Sequence, residues 1–416
     1  ASAGITTGAG SDAIVNSGDM LAFTSADALS IGASITVGED PGNGDPPKPG
    51  DDKTSAKANS KAEARSVGID AEGNAQDSSF EFGLDIDANG LAIGVHSETT
   101  TLAGDDTVDN SGDMNLETVA TSGAGAVGVD IQTGGATATE TESTATAAVT
   151  AINTGGGNDA VTSTGNLQGA SFATSGAVAV SFTQGGEKPK SESKAKSTAE
   201  ATAAGIMTDG GKATSLHDFS LTINDSGIAG SYEQRSAAAV GDDDVTSSGS
   251  ISSAATATSG TVAASVTIKG SAKAETETEA KATASGIDTG GGIDTVDNSA
   301  TIDAISTATA ATVAASVSSE GNAITNSGFF GGGTKATSSA AGISTAGSDF
   351  EKSLNVDASI DFENIGVDVS VTSVNDSLSG DGADTITNSG NVTTTSNAIS
   401  PALTTAATSK GIAASV

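Results

Sequence analysis

The chain has 416 residues, with 54 glycines, no cysteine, no tryptophan and 3% aromatic residues, and a formal net charge of −35 from 52 acidic and 17 basic side chains. So few large apolar groups exclude an ordinary globular core, which needs them to offset chain entropy, and the missing cysteines exclude a disulfide framework or thiolate metal site. The acidic balance excludes nucleic acid as a partner, since phosphate binding needs Lys and Arg, and no apolar run reaches the roughly 20 residues of a membrane span.

The first element in chain order is a Gly-rich turn followed by Asp and a short alternating strand, GAGSDAIVNSG from Gly8. Related copies start at Ala103, Gly155, Val240, Gly286 and Gly380. Indexed by their aspartates (Asp12, Asp106, Asp159, Asp243, Asp294, Asp384), the copies are separated by 94, 53, 84, 51 and 90 residues. Long and short gaps alternate, so the true period is a double unit of about 140 residues. A second marker agrees: Gly68-Ile69, Gly205-Ile206 and Gly342-Ile343 lie 137 residues apart each time. Three tandem double repeats follow, at about 1–147, 148–284 and 285–416. Repetition and β-branched alternation along the whole length, with only six prolines, argue against disorder.

Between the markers, each half-unit reads as strand, turn and a long alternating segment. The last part is clearest at Ser271–Ser285, where Ala272, Ala274, Thr276, Thr278, Ala280, Ala282 and Ala284 share one face and Lys273, Glu275, Glu277, Glu279 and Lys281 the other. Ala and Glu favour helix in isolation, but a strict period of two specifies a strand. Ser55–Ser66 and Lys194–Ala204 repeat the pattern. Glu39–Asp52, with four of the six prolines, and Gly185–Lys190 read as surface loops.

The longer half-units carry inserts at 71–103, 208–240 and 345–381 with strand or hairpin patterning. They hold six of the eleven aromatic residues: Phe80, Phe82, Phe219, Tyr232, Phe350 and Phe362. Two readings fit these inserts: packing against the flank of the body, or arms that contact a neighbouring subunit.

Small residues on the inner face are what closely approaching stacked sheets require. The expected fold is therefore all-β, a β-solenoid (parallel β-helix) with hairpin-like inserts in alternate half-units. Stacking predicts an Asn ladder of Asn16, Asn110, Asn298 and Asn388, with Ser163 and Ser247 in the intervening copies. Two layouts fit the spacing: one wide rung of about 50 residues per half-unit, or two of about 25. A further NAITNSG at Asn322, 28 residues after its counterpart, favours the shorter rung at that point.

The motifs Gly286–Ile302, Gly155–Leu167 and Gly380–Val392 resemble repeats in bacterial autotransporter passengers and other large secreted β-helical adhesins. The resemblance covers the motif portion of all six half-units. It implies secretion across an outer membrane, an extracellular or cell-surface location, and roles in adhesion, aggregation or surface structure, with host or cell-surface glycans among the partners. No autotransporter membrane barrel and no signal peptide are visible in the sequence. The Gly-Asp turns also resemble the calcium-binding nonapeptide of secreted RTX proteins, most nearly at Gly291–Val296 and Gly380–Ile386. That likeness implies Ca2+ at Asp12, Asp106, Asp159, Asp243, Asp294 and Asp384; the alternative is that each aspartate caps its own turn.

Asp85, Asp87 and Asn89 match the opening of an EF-hand loop, but the twelfth position is His96 instead of the bidentate Glu. An Asn-Gly hairpin turn explains the same residues. No catalytic constellation stands out: the only histidines, His96 and His217, are 121 residues apart at non-equivalent insert positions. A polysaccharide-cleaving β-helix would need aromatic platforms, and an ice-binding face would need ranks of Thr-x-Thr. Thr137–Thr141 offers only a fragment, interrupted by Glu140.

The expected function is therefore a non-enzymatic structural subunit of an extracellular filament or surface layer. Copies of the chain would join head to tail through the solenoid ends, where Ala1–Ile5 and Gly411–Val416 read as strands in mid-pattern. The alternative is a monomeric segment of a large secreted adhesin.

Overall fold

The computed structural model describes the chain apart from residues 9, 38–52, 72–74, 88–89, 103, 132–135, 185–188, 209–210, 225–226, 327–332, 346–349, 362–365, 377–382 and 416. Among the residues singled out above, Asn89, Phe362, the glycine turn 380–382 and the whole proline-rich stretch 39–52 lie outside the described residues.

Each half-unit makes one layer of three parallel strands. A four-residue corner strand comes first, such as Thr107–Asn110 or Thr295–Asn298. A long outward strand follows, such as Met114–Asp130 or Ile302–Glu320, and then a long return strand, such as Ala136–Asn153 or Ser271–Asp288. Like strands stack on like through three parallel sheets, which makes the chain a parallel β-solenoid. The corner and outward sheets each contain six layers. At about 4.8 Å per layer the stack stands roughly 29 Å tall. The rung is wide throughout: Val161 pairs with Val108 on one side and Val245 on the other.

The extra motif at Asn322 therefore does not mark a shorter rung. Ala323–Asn326 pairs with Ala272–Glu275 and with Ala413–Ser415 in the return sheet, not with the corner strands. The two kinds of strand look alike because both start after a glycine turn and alternate inward and outward residues.

Side-chain volume sets the cross-section. At the corner three sheets enclose a broad space, filled by Ile69, Ile152, Ile206 and Ile287 from the return strands and by Met114, Leu167, Ile251 and Ile302 from the outward strands. Farther along, the same two sheets face each other directly, and the buried apolar clusters there consist of alanine alone. Glycine is required where a return strand passes the corner. A Cβ on Gly286 would lie 2.3 Å from Ile302 Cγ2 and 2.5 Å from the Gly342 carbonyl oxygen. The Gly-Ile marker is thus a point of close approach, and Ile69, Ile206 and Ile287 beside these glycines are fully buried.

Serine and threonine supply the remaining interior contacts. Ser60, Ser122, Ser143, Ser175, Ser197 and Ser259 form a column that crosses between return and outward sheets at every step, with oxygen–oxygen distances of 2.8–2.9 Å. All six are buried.

The hairpin patterning of the inserts is seen directly. They form three hairpins, with strands Ala75–Asp87 and Gly90–Leu102, Gly211–Asn224 and Gly227–Val240, and Phe350–Asp361 and Gly366–Asp376. The hairpins pair with one another into a six-stranded antiparallel sheet. A hairpin is two strands wide and two solenoid layers occupy the same height, so hairpins from every second layer meet edge to edge. This accounts physically for the alternation of long and short gaps.

Candidate functional site

The corner brings all six motif aspartates into one column. The backbone amide of Asp12 donates to Asp106 Oδ1 at 2.7 Å, and that of Asp106 to Asp159 Oδ1 at 2.8 Å. The series continues from Asp159 to Asp243, Asp243 to Asp294, and Asp294 to Asp384, at 2.9–3.0 Å. One carboxylate oxygen of each later aspartate is thereby committed to the layer before it. The second oxygen of Asp243 accepts from Thr208 Oγ1 at 2.7 Å, and that of Asp294 from Thr289 Oγ1 at 2.6 Å.

A parallel column runs beside it in the opposite sense. The amides of Asn158, Asp242 and Ile293 each donate at 2.8 Å to the side chain of Asp105, Asn158 and Asp242, one layer earlier. The asparagine column comes next. Asn16 Nδ2 donates to Asn110 Oδ1, and Asn298 Nδ2 to Asn388 Oδ1, both at 2.7 Å. Asn110 reaches Ser163 at 3.4 Å. Each of the four asparagines also donates to the carbonyl two residues on, at 2.9–3.0 Å, which holds the turn after the corner strand.

Burial makes four of the stacked carboxylates hold their protons more tightly than a solvated aspartate does. Burial pushes Asp243 up to about 8 and Asp106 up to about 6, and it raises Asp159 and Asp294 as well. Neighbouring carboxylates push the same way, while amide and hydroxyl donors oppose them. Calcium wants six to eight converging oxygens. Here the carboxylate oxygens are spaced one layer apart, and amides and threonine hydroxyls engage most of them. The described residues hold no group of three or more His, Asp or Glu side chains suited to a metal ion. The donors fit a proton-retaining structural ladder and do not fit a calcium shell.

The EF-hand-like residues lie elsewhere. Asp85 and Asp87 belong to the first hairpin, where they stand opposite Ala92 and Gly90 in antiparallel register.

The insert aromatics lie in the hairpin sheet. Phe219 stands opposite Tyr232 on one side and Val95 on the other, Phe82 is opposite Val95, Phe80 opposite Ser97, and Phe350 opposite Ala238. Phe80 and Phe82 are 70% and 60% exposed.

Sheet pairing also shortens the apparent distance between the histidines. His96 Nδ1 lies 2.5 Å from Asp218 Oδ1 across the first and second hairpins, and this carboxylate raises the His96 pKa. His217 Nδ1 lies 3.1 Å from the Tyr232 hydroxyl. The 121 residues between the histidines amount to one strand spacing in the fold.

The interior serine column went unread in the sequence. Its signal was available, since Ser122, Ser175 and Ser259 each lie 16 residues after their motif aspartates Asp106, Asp159 and Asp243.

The end layers complete the set of candidate sites. Met20–Thr36 at one end and Val392–Ile399 with Ala402–Lys410 at the other each pair with one neighbour only, among the described residues. No family model matches this chain, and no curated protein and no solved structure matches it.

Proposed function

We propose that the chain is a non-enzymatic structural subunit of an extracellular filament or surface layer, and that copies join head to tail through the solenoid ends. One observation carries this reading. Met20–Thr36 is a 17-residue edge strand with a single charge, Asp27, and no proline. Proteins that stay apart blunt such edges with charges, prolines or bulges. The opposite end has the same register: through successive layers Val392 lies above Ile302, Ile251, Leu167, Met114 and Met20. A second copy would continue both the hydrogen-bond ladder and the inner apolar column. The two ends differ, so the contact is heterologous and propagates instead of closing on itself.

Location outside the cell rests on the motif resemblance to secreted β-helical adhesins. The same resemblance favours the second reading, a monomeric adhesin segment with a glycan among its partners. Electron microscopy of the purified chain separates the two. The filament reading expects fibres with an axial repeat of about 29 Å, the height of six layers. Dispersed single particles at micromolar concentration would sink it.

A further inference from the structure

The two broad faces of the solenoid are chemically unlike. Outside the return sheet, lysines and glutamates alternate between layers: Lys57 pairs with Glu140 at 2.6 Å, Lys281 with Glu200 at 2.7 Å, and Lys335 with Glu279 at 3.1 Å. Outside the outward sheet, no charge occurs on the half that starts at the glycine column Gly123, Gly176 and Gly260 and runs away from the corner. One column of that half reads Ile31, Gly125, Val178, Val262, Val313 and Leu403 through the six layers. Its valines are 39–43% exposed, and the column four residues on includes Val317 at 43%. Lys269, Glu320 and Lys410 stand at the rim, where Lys410 pairs with Glu320 at 3.4 Å.

We propose that this face binds a second copy of the chain, sheet against sheet, in a two-fold pair. Three observations select that occupant. The first is area. Five outward positions along each strand span about 26 Å and six layers about 29 Å, so each copy offers roughly 750 Å2. A pair would remove about 1,500 Å2 from water, within the range of stable specific interfaces. The second is charge. The chain carries −35, so copies repel one another; the uncharged half-face lets two acidic molecules meet without placing like charges in contact. The third is shape. The face is a ladder of short β-branched side chains beside a glycine column, a surface that interdigitates at the roughly 10 Å spacing of packed sheets. The contact uses the outer face of the layers and needs no end-layer edge, so it stands or falls apart from head-to-tail stacking.

The native chain has no cysteine, so a single Val262→Cys substitution places one reporter on this face. Labelled with pyrene, it should give excimer emission, because paired faces bring the labels within about 10 Å, whereas end-stacked copies separate them by about 29 Å. A label at Ser252→Cys, ten residues along the same strand, should give none. By sedimentation velocity on the unlabelled chain, the smallest assembled species should hold two copies. Val262→Glu should weaken that association at least tenfold with an unchanged melting temperature, and Ser252→Glu should leave it intact. A single-copy species at tens of micromolar, an assembly indifferent to Val262→Glu, or vesicle binding by a chain that stays monomeric would each overturn the proposal.

Discussion

At the corner of one layer, Ile287, Val296 and Ile302 meet in a space bounded by three sheets. Along the same two long strands, Ala274 and Thr278 face Ala314 and Thr312 where only two sheets enclose the interior. Both regions are fully buried and stacked in the same register, yet they depend on different physics. The corner is held by large apolar groups and by side-chain ladders that repeat at every layer. The flat blade is held by close backbone approach and by hydroxyls that hydrogen-bond across the gap. A thin core of alanine releases little free energy per residue, so the blade relies on the number of its layers and on the satisfaction of its buried polar groups.

The largest expected effect tests whether the corner depends on volume. Ile287→Ala should cost about 2–5 kcal/mol by transfer and cavity terms, read as a lowered denaturation midpoint. The matching change in the blade has the opposite sign in volume: Ala314→Leu should destabilise by about 1–3 kcal/mol through overpacking. If Ala314→Leu were neutral, the two-sheet half would be looser than described.

Next comes pH, which acts on the corner through its buried carboxylates. Asp243 is raised to about 8 and Asp106 to about 6, against an ordinary 3.8. The folded chain therefore binds more protons than the unfolded chain between these values, so stability is greatest below pH 4 and declines as pH rises through 6 and 8. Denaturation midpoints at pH 4, 6 and 8 should fall in that order. Asp243→Asn should flatten the upper part of the profile, because the amide cannot ionise.

A smaller loss should follow from Ser197→Ala in the blade. The change removes a donor to Ser175 and an acceptor for Ser259, both at 2.8 Å. Unsatisfied buried hydroxyls of this kind cost about 1–3 kcal/mol. Ser197→Thr, which keeps the hydroxyl, should recover part of the loss.

On the outer surface, Lys281→Ala breaks the 2.7 Å pair with Glu200 but should change stability by less than about 1 kcal/mol, since both groups are solvated. The smallest expected effect is none: a calcium chelator should leave the melting temperature unchanged, because amides and threonine hydroxyls already engage most of the corner carboxylate oxygens. A drop of several degrees would restore calcium to the corner.

Much of the solenoid is legible because its rules are local. Period two in Ser271–Ser285 assigns alanine to the inside and Lys/Glu to the outside, and the stacked pairs Ala201–Ala282 and Glu200–Lys281 follow that assignment. The Asp and Asn ladders are legible for a related reason, since a residue that recurs at the same place in a stacked unit falls above its equivalent. Legibility fails where both alternating sets look alike. In Thr301–Val317 each set consists largely of small or β-branched residues, so neither announces which faces water. The apolar outer face became visible only once Ala308, Ala310 and Ala314 proved buried and Val313 and Val317 exposed.

The sequence by itself determined the strands, the corner and the number of repeats, because alternation, glycine turns and recurrence are properties of neighbouring residues. Only the tertiary structure decided the width of the rung, the pairing of the three hairpins and the raised pKa values of Asp106, Asp159, Asp243 and Asp294. Each depends on contacts between segments 50 to 120 residues apart, such as the 84 residues from Asp159 to Asp243 and the 122 from His96 to Asp218. Layer spacing, burial and strand register set those contacts, and no local pattern encodes them.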